Sequence, residues 1–171
     1  MYNRRGFIEH AGKMLSLGVR RGNHACLFFV DLNAMKAIND TLGHEAGDRA
    51  LIAAAAVLSA VFRDADVIAR LGGDEFAVLA SDCGAGDIPS VNARIGARVD
   101  TCNAGRGEAF GLSMSIGAEV FDPLAPVELE ALISAADARM YEHKVATSDV
   151  APRSRPRSGP LQEDDDERKV M

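Results

Sequence analysis

The sequence predicts an α+β domain: a mostly antiparallel central sheet flanked by helices. Three observations carry that expectation. Residues 25–30 form an unbroken apolar run, which reads as a strand buried on both faces. Two short apolar stretches, 67–71 and 76–80, are separated by Gly72-Gly73-Asp74-Glu75 and read as an antiparallel hairpin. Apolar residues at helical spacing recur before, between and after these strands, so helices must cover the sheet.

Taken in order, Phe7, Ile8, Ala11, Met14, Leu15 and Val19 define one helical stripe that ends near Gly22. The buried strand 25–30 follows and is closed by Asp31. A short helix over 36–42 stops at Gly43. A longer one starts near Ala46, with Leu51, Ala54, Leu58 and Val61 at helical spacing. The hairpin comes next, then a helix over 88–104. Residues 113–118 alternate with period two, as a half-buried strand does. The last helix carries Leu129, Leu132, Ile133, Ala136 and Met140 on one face, with Pro126 at or before its start. From 147 the composition turns basic and rich in Pro and Ser, then acidic, and too little apolar surface remains to offset chain entropy. The expectation is one domain over 1–146 and a disordered tail over 147–171.

The chain of 171 residues is 47% apolar, enough for a core, but only 5% aromatic, so that core rests on aliphatic side chains. A net charge of −6 argues against a general nucleic-acid binder. Cys26, Cys83 and Cys102 are far apart and form no CxxC pair, which reads as reduced thiols in a cytoplasmic protein, Cys26 in the core. No apolar run reaches the roughly 20 residues that span a bilayer, so no membrane contact is expected from this chain.

Chemistry concentrates at one edge of the sheet. Asp31 ends a buried strand, and Asp74 and Glu75 sit at the hairpin tip; if the strands are neighbours, three carboxylates meet. Two unit charges about 4 Å apart repel by about 4 kcal/mol at an effective dielectric of about 20. Protons or a cation must relieve that repulsion, and Mg²⁺ suits oxygen donors shared with phosphates. Asp at a strand end or in a turn also serves as a local cap, and spacing alone does not separate the two readings. Gly72 and Gly73 supply turn geometry and also let a phosphate approach the backbone.

Arg70-Leu71-Gly72-Gly73-Asp74-Glu75-Phe76 contains the pentapeptide GGDEF unaltered. Around it, in order, stand Phe29-Val30-Asp31-Leu32-Asn33, Lys36-Ala37-Ile38-Asn39-Asp40, Gly43-His44, Gly47-Asp48, Ser115-Ile116-Gly117 and the segment 136–144. Over roughly residues 3–144 the sequence resembles the GGDEF-domain diguanylate cyclases. The resemblance implies a ferredoxin-like palm, as in nucleotidyl cyclases. It also implies condensation of two GTP into the second messenger cyclic di-GMP, with release of pyrophosphate, by a homodimer.

Roles follow position by position. The resemblance implies Mg²⁺, with Mn²⁺ as an alternative, on Asp31, Asp74, Glu75 and the carbonyl of Leu32, with Glu75 and Asp74 catalytic. Glu75 would assist deprotonation of the attacking 3′-hydroxyl. Lys36, Lys144 and Gly73 would hold phosphates, while Asn39 and Asp48 would read guanine, with His44 shaping the same loop. Arg63-Asp64-Ala65-Asp66 matches RxxD at the family's spacing for a product-binding inhibitory site, where Arg63 and Asp66 would hold cyclic di-GMP and Arg94 would add a second contact.

Several features depart from the family pattern. The chain opens at an NRRxF-like segment without the DxLTGL stretch, so the expectation is a truncated domain or one regulated elsewhere, a weak dimer and a slow enzyme. Asn33 stands where Asp is frequent, and Ala34 and Met35 replace aromatics. After Lys144 family members often continue with a Gly-Arg-Asn triplet; here the chain reads Val145-Ala146-Thr147-Ser148-Asp149, and Arg153 is out of register. One lost charge-assisted phosphate contact is worth about 1.5–3 kcal/mol. These departures keep a second reading open: a weak or inactive GGDEF domain that binds cyclic di-GMP or GTP without turnover.

Overall fold

The computed structural model describes residues 1–148. Five strands, β1 (Tyr2–Asn3), β2 (Ala25–Leu32), β3 (Val67–Gly72), β4 (Glu75–Ser81) and β5 (Met114–Phe121), form one sheet in the order β1-β3-β4-β2-β5. All neighbours are antiparallel except β1 and β3. Five helices, α1 (Arg4–Arg21), α2 (Met35–Leu42), α3 (His44–Val61), α4 (Ile88–Arg106) and α5 (Leu129–Ser148), cover its two faces. The architecture is α+β with a mostly antiparallel sheet, as the sequence pattern predicts.

The central strand explains the layering. Every residue of β2 is buried, because successive side chains enter opposite cores. Cys26, Phe28, Val30 and Leu32 pack with Phe76 and Val78 beneath α2, α3 and α4. Ala25, Leu27 and Phe29 pack with Ala77 and Leu79 beneath α1 and α5. Four phenylalanines sit deepest, with Phe7 and Phe28 fully excluded from water and Phe76 and Phe121 only 1% exposed. Cys26 is in the core as expected; its thiol donates to the Cys83 carbonyl at 3.1 Å, and burial pushes its proton affinity up.

Helix ends follow local chemistry. Asn3 caps α1, its Oδ1 accepting from the Gly6 N–H at 2.9 Å, and Gly22 ends the helix in a left-handed conformation. Asn3 and the residue before it also form the short parallel strand β1, which helical periodicity concealed. The third helix starts at His44, earlier than Ala46, since Gly43 both ends α2 and begins α3. Strand β5 runs to Phe121, past the end of its period-two pattern. Its Gly117 lies against α5: a Cβ there would fall 2.1 Å from the Ala136 carbonyl oxygen and 2.2 Å from the Met140 nitrogen. That close approach seats the last helix on the sheet.

Pro126 precedes α5, whose bounds include residues 147 and 148 of the segment expected to be disordered; the rest of that segment lies outside the described residues. Among the described residues, no helix is long and apolar enough to cross a membrane.

Candidate active site at the hairpin rim

Strand pairing brings the acidic residues together. Asp31 on β2 is the cross-strand partner of Glu75 on β4, so both side chains leave the same face of the sheet at its rim. By alternation that face is the one under α1 and α5. Asp74 occupies the turn, where its carbonyl accepts the Leu32 N–H at 3.1 Å. The Asp31 carboxylate is 8% exposed as a residue, one of two buried polar residues among those described. Its Oδ1 accepts from the Lys144 ammonium at 2.5 Å.

Two further residues, outside the candidate set drawn from the sequence, shape this rim. Burial raises the proton affinity of Glu75, and the charges of Asp137, Asp31 and Asp74 raise it further, with Arg4 opposing them. Asp137 and Lys144 are seven residues apart on α5, two turns, and so share a helix face. That spacing was readable; the fact that the face meets the hairpin was not.

The turn itself is held by Arg70, whose Nε and Nη2 donate to the Gly73 carbonyl at 2.9 and 2.7 Å. The other flank is stitched by Asn33. Its Nδ2 donates to Ser113 Oγ at 2.9 Å, while its Oδ1 accepts from Ser115 Oγ at 2.9 Å. An amide fills both roles, whereas an ionised Asp could only accept. The local structure thus uses the Asn that departs from the family pattern.

On the other side of the turn a cleft of about 450 Å³ opens between α2, α3 and the hairpin. Lys36, Asn39, His44, Asp48, Gly73 and Asp74 line it. Gly47 is what lets Asn39 lie there: a Cβ at position 47 would fall 2.0 Å from Asn39 Oδ1. Asp74 therefore joins the two halves of the site, carboxylates on one side and cleft on the other.

Asp31, Glu75 and the Leu32 carbonyl are hard oxygen donors, which suit Mg²⁺ or Mn²⁺. Among the described residues, no three His, Cys, Asp or Glu side chains form a metal cage. Mg²⁺ asks for less, since it is commonly held by one or two carboxylates with water and phosphate completing the shell. The donor set fits such a cation, and the Lys144 ammonium already stands in as positive charge on Asp31.

Arg63, Asp66 and Arg94 line a separate cleft of about 250 Å³. Asp66 is already engaged there: its Oδ2 accepts from the Arg63 N–H at 2.8 Å, and its Oδ1 from the Ser81 N–H at 3.1 Å and the Ser81 hydroxyl at 3.4 Å. Arg94 Nη2 donates to the Val61 carbonyl.

Comparison with known proteins agrees with this geometry. Residues 1–149 match the family described as diguanylate cyclase, GGDEF domain. Diguanylate cyclase DgcP of Escherichia coli is 32% identical over 83% of this chain and 42% of its own length. Signaling protein YkoW of Bacillus subtilis is 46% identical over 49% of this chain and 10% of its own. The chain thus spans less than half the length of these curated relatives. Among solved structures, the GGDEF domain of TpbB (YfiN) from Pseudomonas aeruginosa superposes with a TM-score of 0.75 at 32% identity, over 84% of this chain and 90% of that one. The GGDEF domain of DgcB from Caulobacter crescentus, solved in complex with c-di-GMP, also gives 0.75, at 25% identity over 84% and 85%. With a family match running over the whole described length, this chain belongs to the GGDEF-domain diguanylate cyclase family.

Proposed function

We propose that this chain condenses two GTP into cyclic di-GMP with release of pyrophosphate, working as a homodimer in which each subunit presents one nucleotide. The observation that carries the reading is the cross-strand pair Asp31–Glu75, standing beside Lys144, with Asp74 linking that rim to a cleft lined by Lys36, Asn39 and Asp48.

The division of labour follows the two sides of Asp74. In the cleft, Asp48 accepts the N1–H and exocyclic amine of guanine, a donor pair adenine lacks, and Asn39 adds a second polar contact. Hydrogen bonds of this kind discriminate strongly, because the wrong base leaves them unmade. Lys36 and Lys144 hold the phosphates as point charges, and Gly73 leaves the backbone open to them. Asp31, Asp74, Glu75 and the Leu32 carbonyl would hold the divalent cation, with water and phosphate completing its shell. When bound, that cation neutralises the triphosphate and stabilises charge developing at the α-phosphate. Glu75, its proton affinity raised by burial and by its acidic neighbours, takes the proton of the attacking 3′-hydroxyl.

Arg63, Asp66 and Arg94 form the site for feedback by the product. Asp66 retains acceptor capacity beyond its contacts to Arg63 and Ser81, since a carboxylate offers about four lone-pair positions. Arg63 is exposed and can present its planar guanidinium to phosphate or a guanine edge.

A second reading is supported by the missing arginine after Lys144: a domain that binds cyclic di-GMP or GTP without turnover. One experiment separates the two. Purified protein is incubated with GTP and Mg²⁺ over a range of protein concentrations, and cyclic di-GMP is quantified. A cyclase forms product with a rate per subunit that rises with concentration. A binding module forms none at any concentration, while calorimetry still detects cyclic di-GMP binding.

A further inference from the structure

The Lys144 ammonium and the Asp31 carboxylate meet at 2.5 Å from positions 113 residues apart in the chain. The Asp31 side chain is 11% exposed, that of Lys144 37%. The carboxylate is thus fixed by the strand, while the ammonium reaches it from the surface on a flexible four-carbon stem. Around them the rim is crowded with negative charge from Glu75, Asp74 and Asp137, with Arg4 nearby as a second positive group. A cation on Asp31 relieves repulsion that would otherwise strain the folded rim.

A divalent ion sits about 2.0–2.1 Å from its oxygen ligand. An ammonium held on Oδ1 repels a divalent ion on the same carboxylate, so each weakens the other's hold there. Phosphate, in contrast, offers Lys144 an alternative partner of the same sign as the one it leaves.

We propose that Lys144 is a resident place-holder cation: it occupies Asp31 in the nucleotide-free protein, competes there with divalent ions, and moves to the triphosphate when ion and nucleotide arrive together. The inference rests on the reading of Asp31 as a metal ligand. It makes ion binding and nucleotide binding mutually reinforcing, since the nucleotide removes the ion's competitor; by linkage the ion must favour the nucleotide equally. It also offsets one of the rim's negative charges while no substrate is present.

The test uses the full chain without nucleotide and Mn²⁺ as the probe, with free ion counted by electron paramagnetic resonance. Lys144→Met and Lys144→Gln should each bind Mn²⁺ about tenfold more tightly than wild type, within the usual span of coupling between sites. Lys144→Arg should stay near wild type. A non-hydrolysable GTP analogue should tighten Mn²⁺ binding more in wild type than in Lys144→Met. In the unsubstituted protein, saturating Mn²⁺ should raise the rate at which acetic anhydride labels Lys144, read by mass spectrometry. Unchanged or weaker Mn²⁺ affinity in both neutral variants, with unchanged labelling, overturns the place-holder inference. Asp31→Asn is the separate control: if it binds Mn²⁺ as well as wild type, the metal reading of Asp31 is what fails.

Discussion

Substituting Gly47→Ala is expected to damage nucleotide binding while leaving the fold intact. A Cβ at that position lands 2.0 Å from Asn39 Oδ1 and 3.0 Å from its Cγ, where ordinary contact begins at 3.4 Å. The obstructing atoms belong to one flexible amide, so Asn39 gives way, retreating by about 1.4 Å from 2.0 to 3.4 Å. A hydrogen bond from Asn39 to the nucleotide does not survive that displacement. Leaving its partner unsatisfied costs about 1–3 kcal/mol, or about 5- to 150-fold in affinity. Stability moves the other way, because alanine inside a helix is favoured over glycine by about 1 kcal/mol. The melting temperature should therefore stay within a few degrees. Calorimetry with a non-hydrolysable GTP analogue and Mg²⁺ reads the affinity. Asn39→Ala should lose a similar amount, and the double variant little more, since both remove the same contact. Wild-type affinity in Gly47→Ala would refute the placement of Asn39 against bound nucleotide.

Other substitutions probe other links. At Gly117 the obstruction is helix backbone, which cannot rotate away. Gly117→Ala should cost about 3 kcal/mol or more and lower the melting temperature by about 10 °C. Glu75→Gln should abolish product formation, yet raise the melting temperature near neutral pH. The sign follows from the folded carboxyl's raised proton affinity: the ionised form opposes folding, so the penalty is present above the folded pKa. It fades as pH falls through that value and is gone below the ordinary glutamate range, so melting curves of the two proteins should converge at acid pH. Arg63→Ala should relieve inhibition by cyclic di-GMP with almost no change in melting, since the side chain is exposed. Asp66→Ala should relieve it too but melt several degrees lower, having lost its contacts to the backbone of Arg63 and Ser81. Equal melting of these two variants would contradict the turn-holding role of Asp66.

Residues with one strong local signal were legible from the sequence. The run 25–30 reads as a strand with two cores, and Gly72-Gly73 between apolar stretches reads as a tight turn. That pairing alone makes Asp31 and Glu75 neighbours once β2 and β4 are adjacent. Signals that depend on which helix face meets which strand end were not legible. Asp137 acts on Glu75 only because Gly117 lets α5 lie close to the sheet. Strand β1 gains its two residues of pairing from β3, a tertiary effect with no periodicity of its own. The Asn33 bridge to Ser113 and Ser115 depends on β5 lying beside β2, so sequence spacing alone showed only an unusual residue at that position.

The central claim is tested most directly by comparing cyclic di-GMP formation in wild type and in the double variant Asp31→Ala, Asp74→Ala, at saturating GTP and Mg²⁺. Wild type should release the cyclic dinucleotide with pyrophosphate, and the double variant, still folded by circular dichroism, should release none. Product accumulating in the double variant at a rate comparable to wild type would contradict the assignment of catalysis to the acidic rim.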